Sequence, residues 1–265
     1  MTEEQFIMTC VYVLTGILGL CVGSFLNVVI YRIPIGMSLA KPDSHCPRCG
    51  YHLSWFDNIP VFSYLFLRGR CRKCDARISP RYMLVEIFNA LLWLLAAYLF
   101  WEMSIVYAIV SMVALSTLIC IFFIDLEHML IFDRFTILIF LCGMLALFFD
   151  PSTQEFDHII GALAAGGLFL AIYYLAIWVL EKEGLGFGDV KLAFAAGLLL
   201  GWQRMLFALL VASVTASVIL LTLRKRRGDD VDTEYPFGPF LAVGFALALL
   251  VGTPVISFYV SLFSF

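Results

Sequence analysis

The chain has 265 residues, of which 62% are hydrophobic and only 14% charged, and its formal net charge is −3. A soluble domain carries about 25% charged residues, so this composition excludes an ordinary water-soluble globule. A net charge so close to zero gives no electrostatic footprint for a nucleic-acid partner.

Apolar stretches of ~18 or more residues are long enough to cross a bilayer. Eight apolar segments recur: Phe6–Val29, Met83–Phe100, Ile105–Ile124, Phe135–Phe149, Ile159–Leu180, Val190–Leu200, Met205–Leu223 and Phe240–Phe265. The first is too long for the core of a signal peptide, and acidic Glu3 and Glu4 precede it rather than basic residues. It reads as a membrane helix, with no cleavable signal peptide expected. The fourth and sixth segments are short. The sixth is expected to tilt, to borrow residues from its flanks, or to enter without crossing.

The polar connections alternate in character. Sixteen of the 17 basic residues fall in alternate connections, nine of them between residues 31 and 82, and only Arg204 falls in the others. Short loops rich in Lys and Arg stay in the cytoplasm. Eight crossings then place both termini outside, together with the acidic loop "DPSTQEFD" at 150–157. The fold class expected is an all-α polytopic membrane protein of about eight transmembrane helices, with a small cytoplasmic zinc-binding insert. Its parts are a first transmembrane helix (1–30), the insert (31–82) and a helical bundle (83–265). No internal repeat is evident, and the charge run "RKRRGDDVDTEY" (224–235) reads as a solvated cytoplasmic loop.

Within the insert, Cys46 and Cys49 form one C-x-x-C pair and Cys71 and Cys74 another. Two such knuckles can supply the four thiolates of a tetrahedral zinc site. Cytoplasmic thiols are kept reduced, which argues against disulfides. Four protein ligands leave no position for water, so the zinc is expected to be structural rather than catalytic. Cys10, Cys21, Cys120 and Cys142 lie in apolar segments and read as packing residues.

An ionisable group at the edge of a membrane helix is expensive and usually has a task. Asp125 ends the third segment in "FFIDLEHM", and Asp189 opens the sixth in "GLGFGDVKL". The charge pattern puts both at the cytoplasmic face. Two carboxylates that approach one another cannot both ionise easily, and such a pair can activate a water against a peptide carbonyl. Gly184, Gly186 and Gly188 would let an extended substrate backbone approach Asp189. Each aspartate also has a simpler reading: Asp189 as a helix N-terminal cap and Asp125 as a solvated helix end. Glu127, His128 and Asp133 in the same loop read as mostly solvated.

Taken together, "GSFLNVVIYRIP" (23–34), the cysteine-bearing stretch 44–86, "IDLEHMLIFD" (124–133), "GLGFGDVKL" (184–192) and "PFGPFLAVG" (236–244) resemble, in order, the type IV prepilin peptidase family. The resemblance implies that Asp125 and Asp189 are the catalytic aspartates. It implies cleavage of the leader of type IV prepilins or pseudopilins at the cytoplasmic membrane face. It further implies methylation of the new amino terminus from S-adenosylmethionine, since members with both cysteine pairs usually have that second activity. The expected setting is the bacterial cytoplasmic (inner) membrane. No methyl-donor pocket can be derived from the residues. Asn27 and Arg32, at the end of the first helix, are candidates, with helix-end anchoring as the plainer role. One departure is visible: Phe132 stands where the family typically has proline. Three rival readings remain: a peptidase without methylation, a proton-coupled transporter using the same carboxylates, and a membrane scaffold whose zinc insert binds partners.

Overall fold

A computed structural model describes residues 2–180, 185–227 and 235–263. Gly184 and residues 228–234 of the charged run lie outside the described residues. Among the described residues nine α-helices form: α1 (Glu3–Arg32), α2 (Phe62–Phe66), α3 (Arg81–Phe100), α4 (Ile105–His128), α5 (Asp133–Phe149), α6 (Glu155–Leu180), α7 (Phe187–Leu200), α8 (Trp202–Arg227) and α9 (Gly238–Phe263). A short 3-10 turn covers Trp55–Asn58. Among the described residues there is no β-strand beyond two isolated bridges, His45 with His52 and Arg70 with Arg77.

The eight apolar segments coincide with α1 and α3 to α9. Several helices run past the apolar stretch because polar residues cap them. Thr2 accepts from the Gln5 N–H at 3.3 Å, and the Gln5 side chain accepts from the Thr2 N–H at 3.0 Å. Ser104 accepts from the Tyr107 N–H at 3.2 Å to start α4. Among the described residues six helices are long and apolar enough to cross a membrane: α1, α3, α4, α6, α8 and α9. The other two have 17 and 14 residues, shorter than the ~30 Å hydrocarbon core at ~1.5 Å per residue. By length and apolarity alone, six of the eight expected crossings qualify. Helix α7 is short for a physical reason: ten of its 14 residues are buried. An apolar helix of ~10–14 residues suits a protein core better than lipid.

The chain divides into two compact units, Met1–Tyr98 and Leu99–Phe265. In the first, α1 and α3 meet along a seam of small residues. A Cβ added at Gly19 would lie 2.8 Å from the Ala90 Cα, and one at Gly23 would lie 2.7 Å from the Glu86 Cα. Glycine at both sites lets the backbones touch, the close approach that small residues give membrane helices. Side-chain amides close the seam: Asn89 donates to the Gly19 carbonyl at 2.7 Å, and Asn27 to that of Tyr82 at 3.0 Å. The insert hangs between the two helices. At its turn into α2, Val61 adopts φ 62, a strained value for a β-branched residue. The buried Glu86 carboxylate holds that turn by accepting the Val61 N–H at 2.7 Å.

In the second unit α4 is the most enclosed of the long helices, while α7 packs against α5 and α6. Glycine again sets the approach: a Cβ at Gly161 of α6 would lie 2.5 Å from the Gly197 carbonyl oxygen of α7, and one at Gly143 of α5 would lie 2.9 Å from the Leu199 nitrogen. At the end of this unit where α4 begins and α7 finishes, Arg204 is buried rather than loop-exposed. It donates to the Leu200 carbonyl at 2.6 Å, to the Tyr107 hydroxyl at 2.9 Å and to the Asp150 carboxylate. The basic residue that breaks the charge pattern is thus neutralised inside the bundle. Removing one partner of a buried pair costs about 3–5 kcal/mol, because the other charge is stranded. Asp150→Asn should therefore lower the thermal unfolding midpoint of detergent-solubilised protein, and Asp150→Leu combined with Arg204→Met should recover most of the loss.

Candidate active site and metal centre

Asp125 lies in the last turn of α4 and is buried at 5% exposure. Helix α4 ends just beyond it, where Met129 turns left-handed (φ 53) and donates its N–H to the Asp125 carbonyl at 2.9 Å. Asp189 lies in the first turn of α7 and is buried at 7% exposure. Its carboxylate accepts from the backbone of Gly186, the residue that caps the helix. This is half of a capping box, so the simpler reading of Asp189 accounts for one of its oxygens. The other, Oδ1, is buried without a hydrogen-bond partner. A buried acceptor left without a partner costs free energy and calls for an explanation. Gly238, against the Asp125 carboxylate, and Gly188, the residue before Asp189, both face Ile131, so the fold places the two predicted carboxylates at one end of the second unit. The simpler reading of Asp125, a solvated helix end, does not hold, whereas Glu127 and His128 are exposed.

One residue at this site was not singled out from the sequence. Gly238 opens α9 and its backbone hydrogen-bonds the Asp125 carboxylate. A Cβ there would lie 2.5 Å from the Asp125 Oδ2 and 3.2 Å from the Ile131 Cδ1. The signal available was "PFGPF", a glycine between prolines immediately before an apolar run. Gly188 faces the same wall, since its Cβ would lie 3.0 Å from the Ile131 Cβ, and a Cβ at Gly186 would lie 3.2 Å from the Asp189 Oδ2. Phe132 caps α5 with φ −76 and ψ 136, inside the range that a proline ring imposes. The backbone at this departure is one that proline would also adopt. Asp133 then pairs with Lys191 at 2.6 Å and ties the start of α5 to the first turns of α7.

The four insert cysteines form one cluster, with their Sγ atoms all within 4.8 Å of one another. Cys46 and Cys74 are 3.9 Å apart, as are Cys49 and Cys71. Four sulfurs at ~2.3 Å from one ion have edges near 3.8 Å, so the donors fit tetrahedral zinc. The two knuckles repeat one backbone pattern. Cys46 N–H bonds the Tyr51 carbonyl, Gly50 that of Cys46, and Leu53 that of Ser44; Cys71 bonds Ala76, Asp75 bonds Cys71, and Ile78 bonds Gly69. Gly50 (φ 66) and Asp75 (φ 57) occupy the same left-handed place after the second cysteine, where glycine is the default and a short polar residue is tolerated. The sequence thus holds a short repeat that residue identity hides. Backbone N–H groups of Cys49 and Arg48 directed at Cys46 lower its thiol to about 6. The Ala76 N–H favours the Cys74 thiolate too, yet burial and the neighbouring sulfurs outweigh it and push that thiol up to about 11. The cluster holds four thiolates only with a cation among them.

Arg32 is buried, and its guanidinium donates to the carbonyls of Ser38, Leu39 and Pro42 at 2.9, 3.3 and 2.6 Å. It braces the start of the insert, in keeping with the plainer anchoring role. Asn27 keeps a buried Oδ1 without a hydrogen-bond partner.

Residues 17–100 match the bacterial peptidase A24 N-terminal domain, and residues 112–221 match the type IV leader peptidase family. The prepilin leader peptidase/N-methyltransferase of Aeromonas salmonicida is 34% identical over 276 residues, covering 94% of this chain and 93% of the relative. That of Pseudomonas putida is 34% identical over 274 residues, covering 95% and 94%. That of Myxococcus xanthus is 42% identical over 205 residues, covering 77% and 60%. No solved structure matches. Matches that run through both halves of the chain, with identities above 30% across most of its length, place it by descent: the chain belongs to the type IV leader peptidase family.

Proposed function

We propose that this protein is an intramembrane aspartic endopeptidase of the bacterial inner membrane. It removes the leader of type IV prepilins or pseudopilins at the cytoplasmic face and then methylates the new amino terminus. The observation that carries this reading is the buried pair Asp125 and Asp189, with an unpartnered oxygen on Asp189. The curated relatives, named prepilin leader peptidase/N-methyltransferase, supply the substrate class and the second activity.

The pair carries one proton between its two carboxyl groups, because burying two negative charges side by side is costly. The ionised carboxylate takes a proton from a water, which attacks the scissile carbonyl carbon. The protonated partner donates to the carbonyl oxygen, and a proton then passes to the leaving amine as the peptide bond breaks. The pair acts as a unit in this scheme. Gly186, Gly188 and Gly238 keep side chains away from the carboxylates, so an extended peptide can approach. The zinc held by Cys46, Cys49, Cys71 and Cys74 shapes the insert and takes no part in the cut. In the second step S-adenosylmethionine supplies the methyl group, and no residue of this chain is assigned to holding it.

Asp125→Asn and Asp189→Asn should each lower prepilin cleavage by at least ~10²–10⁴-fold, while inserting and melting like the parent. Substantial cleavage by either, read by gel shift of a purified precursor, overturns the assignment. Gly238→Ala should fold yet cut about 10²-fold more slowly, since its methyl group displaces the Asp125 carboxylate. Cys71→Ser should abolish stoichiometric zinc in metal analysis. Intact-mass spectrometry of the pilin product should then show the leader removed but the methyl group missing. Unchanged methylation in zinc-free protein would leave the insert with a docking role instead.

A further inference from the structure

The insert carries a surface that neither the cysteine cluster nor the aspartate pair explains. Trp55 is 80% exposed and Phe66 84%, with Phe62 and Leu65 at 57% each. Phe62, Leu65 and Phe66 share one face of α2 by their i, i+3, i+4 spacing. The turn that bears Trp55 packs against α2, so the four side chains form one apolar patch. Arg68 follows Phe66 by two residues and is exposed. Arg70 and Arg72 are paired with Asp75 and Asp57, but Arg48, Arg68, Lys73 and Arg77 are exposed with no ion pair among the described residues. Between residues 31 and 82 there are nine basic and three acidic residues.

The insert's attachment brings this patch near a membrane surface. Both ends of the insert run into helices long and apolar enough to cross a bilayer, α1 and α3. The Asn27–Tyr82 hydrogen bond pins those ends together. Aromatic residues with an excess of Lys and Arg are the chemistry of an interfacial anchor: rings favour the headgroup region, and cations favour anionic lipid. We propose that the insert lies on the anionic leaflet it faces, with Trp55, Phe62, Leu65 and Phe66 among the lipid headgroups and its unpaired basic residues directed to their phosphates. Naming that leaflet as the cytoplasmic one rests on the topology proposed above. The anchor fixes the depth of the zinc knuckles at the membrane surface.

The test uses the full-length protein in vesicles of phosphatidylcholine and phosphatidylglycerol with identical leaflets, so the result does not depend on which side the insert faces. Tryptophan fluorescence is read with and without acyl-brominated lipid, and the Trp55 contribution is isolated by subtracting a Trp55→Phe variant. The expected result is strong quenching of that contribution by brominated lipid. Quenching should fall several-fold in Phe66→Asp, and again when phosphatidylglycerol is omitted. Metal analysis confirms that the cysteine cluster of each variant keeps its zinc. A Trp55 contribution untouched by brominated lipid but quenched by aqueous iodide overturns the proposal. So does one that becomes shielded only when prepilin is added, which would make the patch a partner site. Prepilin cleavage by the same vesicles separates a failed anchor from a failed functional reading.

Discussion

The controlling constraint in this fold is the burial of two carboxylates at one end of an apolar bundle. Charge in such surroundings costs several kcal/mol unless it is met by a partner or shared with a proton. The chain meets the cost with backbone rather than with basic side chains. Gly238 serves Asp125 and Gly186 serves Asp189, while the nearest lysine in sequence, Lys191, is turned away to Asp133. In the proposed mechanism a salt bridge to either aspartate would hold it ionised more strongly than a single backbone N–H does, and would oppose a shared proton.

The same constraint explains the thin helix α7. To carry Asp189 into the interior, α7 has to sit among its neighbours rather than against lipid, and the closeness of those neighbours is set by glycine. Gly161 and Gly197 meet backbone to backbone, and Gly143 meets α7 from the other side. A helix so enclosed has no need to match bilayer thickness. Its 14 residues and its position beside the carboxylate pair have one cause.

Much of this was legible in the sequence. The eight apolar segments, the two aspartates and the four cysteines all stand in the stretches that hydropathy and spacing single out, because those signals come from single residue types and local periodicity. What escaped depends on contacts between distant segments. Gly238 carries no signal of its own in the sequence until α9 is placed against Asp125. The second knuckle hides its likeness to the first because Asp75 replaces Gly50 at the left-handed position. Arg204 reads as an exception to the charge pattern until Asp150 and Tyr107 are seen to enclose it. Arg32 reads as a functional candidate until three backbone carbonyls are found around it.

The two ends of the second unit treat charge in opposite ways. Where α4 begins, Arg204 engages a carboxylate, a phenol and a carbonyl, and Asp150 in turn is held by Ser152 as well. Such a network ties the helices of a bundle together. Where α4 ends, Asp189 keeps an oxygen without a partner, and glycines let backbone lie against the carboxylates where side chains would collide. Unsatisfied polarity is a defect in a structural element but a requirement in a site that must receive a water and a peptide carbonyl. The end at Arg204 ties its helices together through one charged network, and on the proposed reading the opposite end carries the cost of two buried carboxylates that a substrate would meet.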